Sequence, residues 1–202
     1  MKGYYFITDS GLSRAGNICD VQQAEACGVE VVQYRNKSAE TLEMYREALK
    51  LREICRNSAF LINDRIDIAL AVDADGVHLG QSDMPYAAAR KMLGPDKIIG
   101  ITVHNLSEAL EAQKVGADYL GVSPIFSTKT KSDAGKPAGI ILVEEIRAKV
   151  DIPLIAIGGI DLANAPEVVR AGADGVCAIS AVVAKDDVGR EIRKFQELFR
   201  EF

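Results

Sequence analysis

The chain has no tryptophan and only two histidines and four cysteines among 202 residues. Each scarcity removes a class of function. Cys19, Cys27, Cys55 and Cys177 contain no Cys-x-x-Cys pair, and neither His78 nor His104 lies near a cysteine in sequence. A zinc centre or a dithiol redox site is therefore not expected. The cysteines read as reduced, mostly buried thiols of a cytoplasmic protein. No apolar run approaches the length of a membrane span. Asp9 interrupts the N-terminus before a secretory segment develops. Excess positive charge is missing too. The net charge of −5 lacks the basic footprint that nucleic acid requires. No Gly-x-Gly-x-x-Gly follows the first apolar run, which weakens a dinucleotide site. No linker or low-complexity stretch divides the chain, so one domain over 1–202 is expected.

What is present is an alternation. Short apolar runs, apt for strands buried on both faces, predict strands near 3–7, 29–34, 60–63, 76–79, 97–102, 118–122, 153–157 and 174–179. Helices are expected near 17–27, 39–57, 64–72, 85–93, 106–115, 140–149, 162–171 and 186–201. Eight such pairs favour a closed α/β fold, a single (β/α)8 TIM barrel. Chemically capable residues follow nearly every apolar run: Gln33, Arg35 and Lys37; Asn63 and Asp64; Gln81 and Asp83; Thr102 and His104; Thr128 to Lys131; Gly158-Gly159; and Ser180. In a parallel barrel those strand ends meet on one face, the face that holds the active site.

Local signals support the alternation. Ser38 and Ser107-Glu108 are plausible helix starts. Pro85 and Pro166 suit a first helical turn, and Gly116 and Gly172 suit left-handed helix stops. Asp73-Ala74-Asp75-Gly76-Val77, Gly116-Ala117-Asp118-Tyr119 and Gly172-Ala173-Asp174-Gly175-Val176 form a weak repeat. It falls at the opposite, stability face, so its aspartates read as structural.

Asp64 and Asp83 follow neighbouring strands. Together they can hold one Mg²⁺ and leave positions for phosphate oxygens, although each alone could simply cap a helix. Arg35 offers a planar fork to phosphate, and Lys37 and Lys131 offer point charges. Ser127, Thr128 and Thr130 add hydroxyls beside Lys129 and Lys131. Gly159 allows close backbone approach, and Ile179-Ser180-Ala181 opens a helical turn with free N–H groups. Two anion sites are implied, one metal-assisted and one suited to a monophosphate. His78 reads as a satisfied core histidine, while His104 could relay protons or hydrogen-bond behind the site.

These blocks, in order along nearly the whole chain, resemble the thiamine phosphate synthase (thiamine phosphate pyrophosphorylase) family. The resemblance rests on Gln33 to Lys37, Asn63-Asp64-Arg65, His78 to Asp83, Ser123 to Lys131, Ile157 to Ile160 and Ile179-Ser180-Ala181. It implies a Mg²⁺-dependent transferase that joins 4-amino-5-hydroxymethyl-2-methylpyrimidine diphosphate to hydroxyethylthiazole phosphate. Carried over by position, Gln33, Arg35, Lys37 and Asn63 contact the pyrimidine diphosphate, and Asp64 and Asp83 bind Mg²⁺. Thr102 and Lys131 hold the diphosphate side. Thr128 and Thr130 hold the thiazole phosphate, joined by Gly159, Ile179 and Ser180. Lys131, Arg35, Asp64 and Thr102 are the residues expected to carry the chemistry. Thr102 stands where the family usually has serine and keeps the hydroxyl. The expected partners are small molecules, not nucleic acid or membrane. The competing readings are a thiazole tautomerase on the same barrel, a non-catalytic sensor of thiamine intermediates, and a phosphosugar isomerase.

Overall fold

The computed structural model describes residues 1–128, 130 and 135–200. Its strands are β1 (Gly3–Tyr4), β2 (Phe6–Ile7), β3 (Val31–Tyr34), β4 (Ala59–Asn63), β5 (Gly76–Leu79), β6 (Ile98–Val103), β7 (Tyr119–Val122), β8 (Leu154–Ile157) and β9 (Gly175–Cys177). The helices are α1 (Asn17–Ala26), α2 (Thr41–Ile54), α3 (Ile66–Ala71), α4 (Tyr86–Leu93), α5 (Leu106–Val115), α6 (Ile140–Arg147), α7 (Ala165–Arg170), α8 (Ile179–Val183) and α9 (Val188–Leu198). Every strand pairing is parallel, in the order β1-β9-β8-β7-β6-β5-β4-β3-β2. The expected first strand is divided at Tyr5. β1 pairs with β9 and β2 with β3, and Tyr5 N–H still donates to Val176 C=O at 2.9 Å. One segment thus serves both neighbours and curls the sheet into a nearly closed TIM-like barrel.

Alternation along the strands sorts side chains between two environments. Tyr5, Ile7, Val31, Leu61, Tyr119, Ile155 and Cys177 pack together as an inner cluster. Their neighbours Phe6, Val32, Phe60, Ile62, Leu120 and Val176 belong to the larger core shared with the helices. Two residues beyond Val31 and Leu61, the same face carries Gln33 and Asn63, which line a pocket. The apolar interior therefore becomes polar as the strands approach their C-terminal ends.

Several expected boundaries shift. The strand expected to reach residue 179 ends at Cys177, because Ile179 already begins α8. The last helix spans Val188–Leu198, where Asp187 caps it by accepting from Arg190 N–H. Ser38 is not a cap. The Asn36 carboxamide accepts from Ser38 and Ala39 N–H in a turn, and α2 begins only at Thr41. Asn105, not Ser107, caps α5, accepting from Glu108 N–H at 2.9 Å while Glu108 reaches back to His104 N–H. Gly116 adopts the expected left-handed stop, with φ 94° and ψ 32°.

The repeated aspartates occupy equivalent places at the N-terminal ends of strands. Asp75 accepts from Phe60 N–H at 2.7 Å, Asp118 from Ile99 N–H at 2.7 Å, and Asp174 from Leu154 N–H at 2.8 Å. Each carboxylate also meets an arginine, Arg52, Arg90 and Arg147 respectively. Those guanidiniums in turn donate to nearby backbone carbonyls, including those of Cys55, Lys97 and Val150. Three clamps thus tie a preceding helix to two strands.

Candidate active site

At the C-terminal ends of the strands lies a cavity of about 270 Å³. Gln33, Arg35, Lys37, Asn63, Asp64, Asp83, Thr102, Thr128, Thr130, Gly159, Ile179 and Ser180 all line it. Sequence reasoning named each of these as a site residue. Lys131 lies outside the described residues, as does Lys129.

Arg35 leaves the end of β3 and is held on two sides. Its N–H donates to the Thr8 hydroxyl oxygen at 2.9 Å, and that hydroxyl donates to the Arg35 carbonyl at 3.1 Å. Its guanidinium reaches Asp9 at 3.0 Å, with both side chains largely buried. Asp9 is a residue sequence reasoning passed over. Its only signal was its position just beyond the first apolar run.

Asp64 sits at φ 61°, a backbone region that disfavours side chains other than Asn and Asp. Its N–H is tied to the His78 carbonyl at 2.9 Å. Its carboxylate does not cap α3, which starts after Arg65 without a side-chain cap. Instead it contacts the Lys37 ammonium. Asp83 does not cap α4 either, because its carboxylate accepts from Gly80 N–H at 2.7 Å. The capping alternatives for both residues are therefore set aside. Burial pushes the Asp64 carboxyl up, but Lys37 and the hydrogen bond with Asp83 outweigh it and hold the group below its ordinary value. Burial and the Asp64 carboxyl push Asp83 up. The two carboxyls thus converge and shift each other in opposite directions. Among the described residues no group of three or more His, Cys, Asp or Glu side chains could hold a metal. A convergent pair of oxygen donors still suits a hard dication that takes its other ligands from phosphate and water.

On the neighbouring strands β5 and β6, Thr102 Oγ1 lies 2.8 Å from His78 Nε2, and Gln81 donates to the Thr102 carbonyl at 2.7 Å. His78 is thus partnered, as expected. His104 stands at the mouth, with Nδ1 3.0 Å from Glu108.

Gly158 and Gly159 have φ 105° and 63°. A Cβ on Gly158 would meet Pro124 Cα at 2.8 Å, and one on Gly159 would meet Ser127 O at 2.4 Å. Ile125 and Phe126 N–H groups donate to the Ile157 and Gly158 carbonyls. The glycines therefore first let the loop after β7 lie against the loop after β8. That contact brings Thr128 and Thr130 into the pocket beside Ile179 and Ser180.

The sequence profile of the thiamine monophosphate synthase family matches residues 4–182. A thiamine-phosphate synthase of Methanosarcina mazei is 53% identical over 199 residues, covering 98% of this chain and 83% of that protein. One from Chloroflexus aurantiacus is 53% identical over 197 residues, covering 96% and 91%. The solved thiamine phosphate pyrophosphorylase of Pyrococcus furiosus superposes with a TM-score of 0.90 at 42% identity, covering 98% of this chain and 96% of that one.

Proposed function

The chain belongs to the thiamine monophosphate synthase family and, like its curated relatives, is a transferase, and from that premise we propose that it couples 4-amino-5-hydroxymethyl-2-methylpyrimidine diphosphate to hydroxyethylthiazole phosphate, releasing diphosphate. The observation that carries the reading is the convergence of Asp64 and Asp83 on one rim with Arg35 and Lys37. Carboxylates and cations alternate there, as a site for a metal-bound diphosphate requires.

In this reading Gln33 and Asn63 orient the pyrimidine through their carboxamides. Arg35, held by Asp9, and Lys37 bind the diphosphate, joined by the Thr102 hydroxyl and by Lys131. Asp64 and Asp83 would hold Mg²⁺, which when bound neutralises charge on the diphosphate. Thr128, Thr130 and Ser180 donate to the thiazole phosphate, and Gly159 and Ile179 shape its seat. Preorganised donors aimed at the departing diphosphate supply the main catalytic effect. The C–O bond breaks, the aminopyrimidine ring delocalises the methylene cation, and the thiazole nitrogen supplies the pair that forms the new C–N bond. The scheme needs no protein nucleophile. Burial pushes the pocket-lining Cys177 thiol well above its ordinary value, which makes it a poor one.

We infer likewise that the protein acts in the cytoplasm as one barrel domain over 1–202, on small molecules alone. Its unpaired cysteines support that placement, and among the described residues no helix is long and apolar enough to cross a membrane.

The test is formation of thiamine phosphate from the two purified substrates, with and without Mg²⁺, by the parent protein and Asp64→Asn. Metal-dependent product that collapses in the variant is expected. Thiazole phosphate binding without product would refute the coupling reading.

A further inference from the structure

Five side chains form an unbroken hydrogen-bonded chain across the barrel interior. Gln33 Nε2 donates to the Tyr5 hydroxyl at 2.8 Å, the Tyr5 and Tyr119 hydroxyls lie 2.7 Å apart, Tyr119 meets His78 Nδ1 at 2.8 Å, and His78 Nε2 meets Thr102 Oγ1 at 2.8 Å. Gln33, His78 and Thr102 all line the pocket, and Tyr5 and Tyr119 join Gln33 to His78 beneath it.

The barrel has made room for this chain. A Cβ on Gly100 would sit 2.0 Å from Tyr119 Cζ, and one on Gly121 would sit 2.9 Å from His78 Cε1. Glycine inside a strand is costly unless a close approach demands it. Here two glycines in adjacent strands, β6 and β7, each clear the space for a ring of the chain.

The proton order follows from counting donors. Tyr5 accepts from Gln33, so its own proton goes to Tyr119. Tyr119 then gives its proton to His78 Nδ1, which must be bare. The hydrogen of the imidazole therefore sits on Nε2, which donates to Thr102. With the opposite order Tyr119 would donate to Tyr5. The Tyr5 proton, in a residue only 3% exposed, would then lack an acceptor within this chain. Because Thr102 Oγ1 accepts from His78, its own hydrogen is left to point away from the histidine, into the pocket.

We propose that Tyr119 and His78 are positioning residues that fix the Thr102 hydroxyl as a donor toward the substrate anion and couple it to the Gln33 end of the site. This rests on the reading that Thr102 contacts the diphosphate. A threonine hydroxyl free to rotate would spend part of its time turned away from the anion. The chain removes that freedom before substrate arrives, the preorganisation that makes an oxyanion donor effective.

The two histidines make the ligand-free protein tractable for ¹⁵N NMR. His78 is expected as the Nε2–H tautomer with a bare Nδ1; the Nδ1–H tautomer would overturn the proposal. In kinetics, Tyr119→Phe keeps the ring and is expected to lower kcat on the order of tenfold, the size of one hydrogen bond's net contribution. In a Thr102→Ala background the same change is expected to have no further effect. Parent kinetics in Tyr119→Phe, or losses that add, would overturn the coupling. If Thr102→Ala alone keeps the parent kcat while the tautomer is as expected, the diphosphate assignment of Thr102 has failed and the proton order has not.

Discussion

Asp118→Ala is expected to cost stability without touching turnover. Ile99 is fully buried, and its N–H donates to Asp118 at 2.7 Å. Removing the carboxylate strands that donor, at a cost of about 1–3 kcal/mol. Arg90 loses its 2.8 Å bond to Asp118 but is not stranded, because it keeps Tyr86 and the carbonyls of Gly94 and Lys97. The Asp118 side chain is 45% exposed, so loss of the ion pair adds at most about 1 kcal/mol. The total is roughly 1–4 kcal/mol, which at about 3 °C per kcal/mol for a domain of this length lowers Tm by about 3–12 °C. Asp118→Asn keeps an acceptor for Ile99 and is expected to lose only ~1 kcal/mol. Urea and thermal denaturation followed by circular dichroism, with turnover measured well below both midpoints, make the comparison. Equal stability of the two variants would refute the stranded-donor argument. A fall in kcat would show that this end of the barrel is not separate from the site.

Three further outcomes are expected. Gly100→Ala should destabilise the barrel by about 1–3 kcal/mol or more through overpacking against Tyr119, read as a lower urea midpoint; a neutral result would mean that Tyr119 moves freely. Asp9→Ala should lower kcat/KM on the order of tenfold by freeing the Arg35 guanidinium, with KM for the pyrimidine substrate affected more than that for the thiazole. Asp83→Asn should weaken Mn²⁺ binding, followed by electron paramagnetic resonance with diphosphate present, by at least on the order of tenfold; unchanged affinity would move the metal elsewhere.

The barrel was legible because its strands are short, apolar on both faces and followed by polar residues. Gln33, Asn63 and Thr102 announce themselves as polar side chains at the ends of apolar runs. The proton chain does not. Tyr5 and Tyr119 look like core aromatics, and their hydroxyls meet across 114 positions of sequence. The only local trace is a glycine inside each of two strands. Asp9 was hidden for a related reason: its partner Arg35 lies on the next strand end. Helix starts failed where several polar residues competed. Asn36, Ser38 and Glu40 can all end a turn, and only packing decides that Asn36 does. The division of the first strand at Tyr5 reflects barrel closure, which one segment's composition cannot encode.

The three arginine–aspartate clamps also bear on the order in which the chain assembles. Their partners are 23, 28 and 27 residues apart, whereas the seam between β1 and β9 joins Gly3 to Gly175. The entropy lost on closing a loop rises with its length, so clamped segments reach native contacts sooner than the seam does. Weakening a clamp should therefore slow folding, and weakening the seam should chiefly speed unfolding. The same aspartates that tie neighbouring strands at the barrel's base are thus expected to organise its parts early, with closing of the ring as the last and most reversible step.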